Sequence, residues 1–445
     1  MINIGILTEL IELDLSENEL SGVIPESVYQ LSKLKLLNLT YNNLEGTLSK
    51  SIGSMYSLQY FTVLSNKLIG TIPVTIGNLT DLLYLRLSAN QFNGSIPNNL
   101  KNLKSLKLLI LGHNQLTGTI PSFLGELTSL LLLSLNSNYF YETLPLSLSN
   151  LNCLQVFYFS DNYLTGSIPS IYGNLINLHI LRIAGNQITG VIPESFQYLT
   201  SLITFDISSN YLINTIPSWL NNYENLTYLS LDNNIITGTI PLSLSKLYKL
   251  QILIISNNLL TGNTTNNFND LTHLLSLQLN ENILTGSLPL SLSYMNNLTR
   301  LFVQDNLFHG NLYSIFNNND NDNKDDDDNK TNNKKFQKLN NVQLSNNQFT
   351  GTLPNELFAS QNLISFSAVS NCFHGIIPST ICLNSNLITL ALDGLVCASS
   401  CRHYILSTSL SYAYISTRKI NNGIPQCLWL LPKLQVLHLS GNGLT

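Results

Sequence analysis

The residue types able to do chemistry are spread thinly along this chain, so the first question is whether any converge. Seven histidines stand at 113, 179, 273, 309, 374, 403 and 438, in no spacing that suits a metal or a proton shuttle. His309 and His374 share one place, three residues after a recurring asparagine, which reads as a turn and not a cleft. The chain has no H-E-x-x-H, no G-x-S-x-G and no phosphate-binding glycine loop. The acidic run Asp320, Asp322, Asp325, Asp326, Asp327 and Asp328 offers oxygen ligands. An EF-hand calcium loop also needs a central glycine and a terminal glutamate, and neither is here. Cys397, Cys401 and His403 lie at metal-ligand spacing but lack the second half of a tetrahedral zinc site. The expectation is no catalysis, no cofactor and no metal.

Two other residue classes carry covalent chemistry. Cys372, Cys382, Cys397, Cys401 and Cys427 cluster toward the C-terminal end, while Cys153 stands alone. In an oxidising compartment the cluster would form one or two disulfides, with connectivity left open by spacing alone. N-x-S/T sequons begin at Asn38, Asn78, Asn93, Asn225, Asn263, Asn297 and Asn329, and these are the glycosylation candidates. In a chain so rich in Asn, Ser and Thr, several sequons arise by chance.

Composition narrows the function classes. Charged residues make up 11% of the chain, less than half the usual ~25%. The net charge is -5, and the Lys334, Lys335 and Lys338 cluster sits beside the acidic run. No basic stripe of the kind nucleic acid requires is present. No apolar run is long enough to span a bilayer, and the start, MINIGILTEL, lacks the basic and apolar regions of a secretory signal.

The elements that must position these residues come from a repeat. Asparagine falls at 18, 42, 66, 90, 114, 138, 162, 186, 210, 234, 258, 282 and 306, a spacing of 24 held for thirteen turns. The series resumes at Asn347 and Asn371 and closes at Asn442, with two degenerate turns placing Leu395 and Arg418 in the asparagine position. In one turn Leu109 and Leu111 lie two apart and share the inner face of a short strand. Asn114 follows, with an amide that can both donate to and accept from buried backbone of its own and neighbouring turns. Gly118 allows a backbone conformation that a side chain disfavours, and Pro121 fixes φ ahead of a short helical stretch. Stacked turns give a parallel sheet backed by one apolar core.

The run L-x-x-L-x-L-x-x-N-x-L-x-G-x-I-P resembles the plant-type leucine-rich repeat, as found in receptor-like kinases, receptor-like proteins and polygalacturonase-inhibiting proteins. The resemblance covers nearly the whole chain. It implies an α/β repeat solenoid, a superhelix with a parallel β-sheet on the concave face and short helical, 3-10 and extended segments on the convex face. Residues 1–316 and 336–392 are repeats, and 425–445 is a truncated one. Residues 317–335 are an Asn/Asp/Lys-rich insertion, disordered by composition. Residues 393–424 form a degenerate island with Cys397, Cys401, Tyr404, Tyr412 and Tyr414. Because GILTELIELDL (5–15) aligns with GNLTDLLYLRL (77–87), the chain starts and stops inside repeats and reads as a piece of a longer protein.

Members of this class recognise ligands without catalysis, and the concave face is where a ligand would sit. The position four before each ladder asparagine supplies Arg86, Ile110, Tyr158, Arg182, Asp206, Ile254 and Phe302, and the position six before supplies Tyr60, Tyr84 and Tyr228. Aromatic and arginine side chains are what binding surfaces favour. Arg86 and Arg182, four turns apart, are roughly 19 Å from each other at ~4.8 Å per strand. The expected partner is a protein or peptide on this face, with a co-receptor as a second partner and a membrane reached only through segments outside the chain. The leading reading is the ligand-binding ectodomain of a cell-surface receptor-like protein in signalling. An intracellular scaffold or a secreted enzyme inhibitor is the alternative.

Overall fold

The computed structural model describes residues 4–264, 267–316, 336, 338–393 and 424–440. The insertion 317–335, Asn329, Cys397, Cys401 and the core of the island lie outside the described residues. The chain divides into two compact units, Met1–Ile213 and Asn214–Thr445.

One turn explains the rest. Strand Leu108–Ile110 buries Leu109 and leaves its two neighbours half-buried, as the two-residue period of a strand requires. Leu106, Leu109, Leu111, Leu116, Leu124 and Leu127 are all 0% exposed, so the repeat's apolar positions form the core. After the strand, His113 takes a left-handed φ of 54° and turns the chain into Asn114. A second strand, Gln115–Thr119, buries only Leu116. Gly118, at φ 91°, then lets the chain turn again toward Ile120. Pro121, with φ −70°, caps the 3-10 helix Ser122–Glu126 and donates no N–H where none is needed. The helix closes with Leu124 N–H to the Pro121 carbonyl (3.1 Å) and Leu127 N–H to the Leu124 carbonyl (3.2 Å).

Turns stack because each strand pairs in parallel with its counterpart 24 residues away, as in Leu85↔Leu109 and Leu109↔Leu133. In the first unit this sheet runs from Glu12–Asp14 to Thr204–Asp206. In the second it runs from Tyr228–Ser230 to Val436–His438. The two breaks in the period do not interrupt it. Arg300–Phe302 pairs directly with Asn341–Gln343 across the insertion. Thr389–Ala391 pairs directly with Val436–His438 across the island. Leu395 and Arg418, which hold the asparagine position of the two degenerate turns, lie outside the described residues.

The extended segments of the convex side pair into a second sheet. In the first unit it links seven strands from Ser21–Gly22 to Tyr163–Thr165. In the second unit six strands pair from Thr237–Thr239 to Cys372–Phe373. Its register steps by 22, as in Glu45↔Lys67 and Thr117↔Tyr139, so it belongs to the stretch just after the ladder asparagine. His309 lies in one of these strands, Leu307–Asn311, and not in a turn as its spacing suggested.

The asparagine ladder is built as the repeat implied. Asn114 Nδ2 donates to the carbonyls of Leu87 (3.0 Å), Leu111 (3.0 Å) and Gly112 (3.2 Å). Its Oδ1 accepts from Phe92 N–H at 3.0 Å. Each such amide ties its own turn to the preceding one, and its burial (8% exposed for Asn114) makes those bonds costly to lose.

Candidate functional site

The strand face of the first unit brings together several of the residues singled out by sequence. Tyr60 and Tyr84 are register partners, and their rings stack at 4.7 Å with a 13° tilt. The same strands set Thr62 opposite Arg86. Arg86 is half-buried, and its Nε has no hydrogen-bond partner among the described residues. Two strands on from Ile110, which is itself half-buried, Tyr158 stands opposite Arg182. The Arg182 guanidinium lies over the Tyr158 ring, 5.6 Å from its centroid. Such a contact holds a cation in place at ~0.5–1 kcal/mol when exposed and more when desolvated. Asp206 follows opposite Arg182 in the next strand, its Oδ1 accepting from Ser208 Oγ at 2.7 Å and Ser208 N–H at 3.3 Å. Two groups result, Tyr60–Tyr84–Arg86 and Tyr158–Arg182–Asp206, on one face of one unit.

The second unit carries the remaining three. Tyr228, Ile254 and Phe302 are half-buried on strands Tyr228–Ser230, Ile252–Ile254 and Arg300–Phe302. Phe302 stands between Gln278 and Gln343 in the register, so this row is apolar and amide in character and lacks an arginine at the same position.

The sequons fall into different settings. Asn78, Asn93, Asn225 and Asn263 are exposed, and Asn297 is half-buried with Oδ1 accepting from Lys338 Nζ at 2.8 Å. Asn38 differs. Its Nδ2 donates to Asp14 Oδ2 at 3.0 Å, and the Thr40 hydroxyl of its sequon is buried against Thr62 Oγ1 at 2.8 Å. Hydrogen bonds from the Ser16 hydroxyl, the Ser16 N–H and the Asn38 amide hold the Asp14 carboxyl below the usual carboxylate range. Among the cysteines, Cys382 and Cys427 are joined as a disulfide with Cα atoms 5.6 Å apart, Cys372 is also disulfide-bonded, and Cys153 is an exposed free thiol.

Sequence reasoning passed over a groove of about 420 Å³ in the first unit, where the chain leaves the strand face for the second sheet. Its lining includes Ser137, Tyr139, Asp161, Tyr163 and Gly185. The signal for it was a tyrosine directly after the ladder asparagine in two consecutive turns. No group of three His, Cys, Asp or Glu able to hold a metal occurs among the described residues. Nor is any helix there long and apolar enough to cross a membrane.

Comparison with known proteins agrees with this architecture. A family model described as Leucine rich repeat matches residues 5–44 and 176–236. A second, also described as Leucine Rich Repeat, matches 81–103, 105–127, 153–175 and 338–359. A search of curated proteins finds no match. Among solved structures the chain is similar to the TDR receptor, at 30% identity and a TM-score of 0.84 over 99% of this chain and 70% of that one. It is similar to the plant peptide hormone receptor RGFR1 in complex with RGF2, at 32% identity and 0.75, over 88% of this chain and 64% of that one. It is also similar to the Arabidopsis receptor kinase HAESA in complex with the peptide hormone IDA and the co-receptor SERK1, at 28% identity and 0.75, over 98% and 74%. Both matching family models describe leucine-rich repeats, so the chain is a repeat module. With its 24-residue turns, its asparagine ladder and this identity to the TDR receptor, the chain belongs to the leucine-rich-repeat family and carries repeats of the plant type.

Proposed function

We propose that this chain is the ligand-binding ectodomain of a cell-surface leucine-rich-repeat receptor, taking a peptide or protein on the strand face of its first unit. The observation that carries the proposal is the 30% identity to the TDR receptor across 99% of the chain. RGFR1 and HAESA, two further similar structures, were each solved with a peptide hormone, and HAESA also with a co-receptor.

The strand-face chemistry fits such a ligand. Tyr60, Tyr84 and Tyr158 supply rigid contact area, and Arg86 and Arg182 supply fixed donors for backbone carbonyls or carboxylates. The two arginines are roughly 19 Å apart, a distance spanned by a peptide of about six extended residues. A second partner of co-receptor type would dock on bound ligand and receptor together.

Two experiments test this. N-glycosidase treatment of the native protein lowers its apparent mass if the chain has passed through the secretory pathway. An unchanged mass, with a reduced cytosolic pool, favours the intracellular scaffold, a reading to which the exposed free thiol of Cys153 also belongs. Charge reversal at Arg86 and Arg182 removes binding of a secreted peptide ligand, and unchanged binding by both variants rejects the strand-face site.

A further inference from the structure

The groove beside Asn138 and Asn162 differs from its counterparts in neighbouring turns in three ways. First, Tyr139 and Tyr163 occupy the place just after the ladder asparagine in successive turns, with ring centroids 6.1 Å apart and planes 11° apart. Both are about half exposed, at 46% and 51%, so the rings form a flat aromatic wall open to solvent. Second, Asp161 stands just before the ladder asparagine, held at a left-handed φ of 58°. Its Oδ2 has a long contact, 3.4 Å, from Ser137 Oγ, and its carboxylate makes no ion pair among the described residues. Third, the residue that would cover Asp161 in the next turn is Gly185. A Cβ there would come within 2.6 Å of Asp161 Oδ1. Glycine at this one place keeps the carboxylate open.

The two ladder amides beside the groove are spent. Asn162 Nδ2 donates to three backbone carbonyls and its Oδ1 accepts from Phe140 N–H. Asn138 is used in the same way, accepting from Leu116 N–H. A neutral polyhydroxyl ligand needs several donors and acceptors, and few are left. An unpaired carboxylate beside two aromatic rings instead demands a cation with a flat face. Guanidinium meets both needs, because it stacks on rings and donates in parallel to a carboxylate.

We infer that this groove is a subsite for an arginine side chain of a peptide or protein partner. The guanidinium lies along Tyr139 and Tyr163, and its N–H groups donate to the Asp161 carboxylate. The site is separate from the strand-face rows, and its test does not depend on a ligand being found for them.

The test uses the intact protein and the probe acetyl-Gly-Arg-Gly-amide, followed by saturation-transfer NMR. Saturable binding in the millimolar range is expected, as suits one side chain's worth of contact. Replacing the probe's arginine with citrulline, which keeps the shape and removes the charge, weakens binding about fivefold or more. Asp161→Asn does the same, and asparagine accepts the left-handed backbone so the fold is kept. Tyr163→Phe leaves binding nearly unchanged, whereas Tyr163→Ser weakens it, because the ring and not the hydroxyl makes the contact. Absence of saturable binding overturns the inference. So does equal binding of the arginine and citrulline probes, or Asp161→Asn binding as wild type. A cello-oligosaccharide that binds here more tightly than the arginine probe would identify the groove as a sugar platform and reject the assignment.

Discussion

Replacing the ladder asparagine Asn114 with alanine removes four hydrogen bonds at once. The carbonyls of Leu87 and Leu111 each keep a second amide, from Asn90 Nδ2 at 3.2 Å and Asn138 Nδ2 at 3.1 Å. The Gly112 carbonyl keeps Ala89 N–H at 3.0 Å. The Phe92 N–H instead loses its Asn114 Oδ1 acceptor inside a core where Phe92 is 0% exposed. An orphaned buried donor costs ~1–3 kcal/mol and each lost shared bond a fraction of the ~1 kcal/mol typical of a net hydrogen bond, so about 3 kcal/mol is expected. Because each turn contacts chiefly its neighbours, the loss is local first. Native-state hydrogen exchange at the Phe92 amide is the assay, and about 3 kcal/mol is a rise of roughly a hundredfold in its exchange rate. The exposed Asn98→Ala in the same turn is the control, with an expected change within about 0.5 kcal/mol. If Asn114→Ala behaves like the control, the ladder is not what ties the turns together.

Other perturbations separate the remaining forces. Burial pushes the Tyr29 phenol up to about 12 and that of Tyr172 higher still, with the Tyr172 hydroxyl donating to the Pro145 carbonyl at 2.8 Å. A raised phenol means the unfolded chain loses protons first, so this stability is complete below the ordinary value of ~10 and falls as pH rises above it. Alkaline unfolding followed by phenolate absorbance should start above that pH, and Tyr172→Phe should flatten the slope there. Leu109→Ala, at a site 0% exposed, should cost about 2–5 kcal/mol in chemical denaturation. Removing the Cys382–Cys427 link, which joins residues 45 apart, should cost up to ~4 kcal/mol by loop entropy. Comparing Cys382→Ser with wild type under non-reducing denaturation measures that. Gly118→Ala, at φ 91°, should cost about 1–2 kcal/mol from the left-handed backbone alone.

The strand of each turn, its ladder asparagine and the proline-capped helix were legible because each has a dedicated residue type at a fixed place. Leucine marks the core, asparagine the amide that joins two turns, and proline the φ of the helix cap. The second sheet was not, because Gln115–Thr119 buries one residue and shows no alternating run. Its pairing depends on how far successive turns are offset, a property of the stack. The left-handed residue before each asparagine was equally silent, since Glu17, Tyr41, Ser65, Ala89 and His113 all take it and share no chemistry. Glu142 and Asn214 stand four residues after their ladder asparagines, where Gly118 stands in its turn, and both adopt the same positive φ, at 65° and 78°. The geometry is imposed there by the neighbouring turns. The strand-face rows could be read from spacing, and the stacking of Tyr60 on Tyr84 follows from their register. The Asp161 groove could not, because it depends on the absence of a side chain at Gly185 in the next turn.

The most direct test of the whole account is binding of secreted peptides from the source tissue to the intact chain and to two variants. One reverses charge on the strand face, Arg86→Glu with Arg182→Glu. The other reverses charge at the exposed Lys101 on the 3-10 helix Asn98–Asn102. A ligand bound by wild type and by Lys101→Glu, and lost in the strand-face variant, is the predicted result. Binding that survives the strand-face reversal and disappears with Lys101→Glu would contradict it and move the site to the helical side of the repeats.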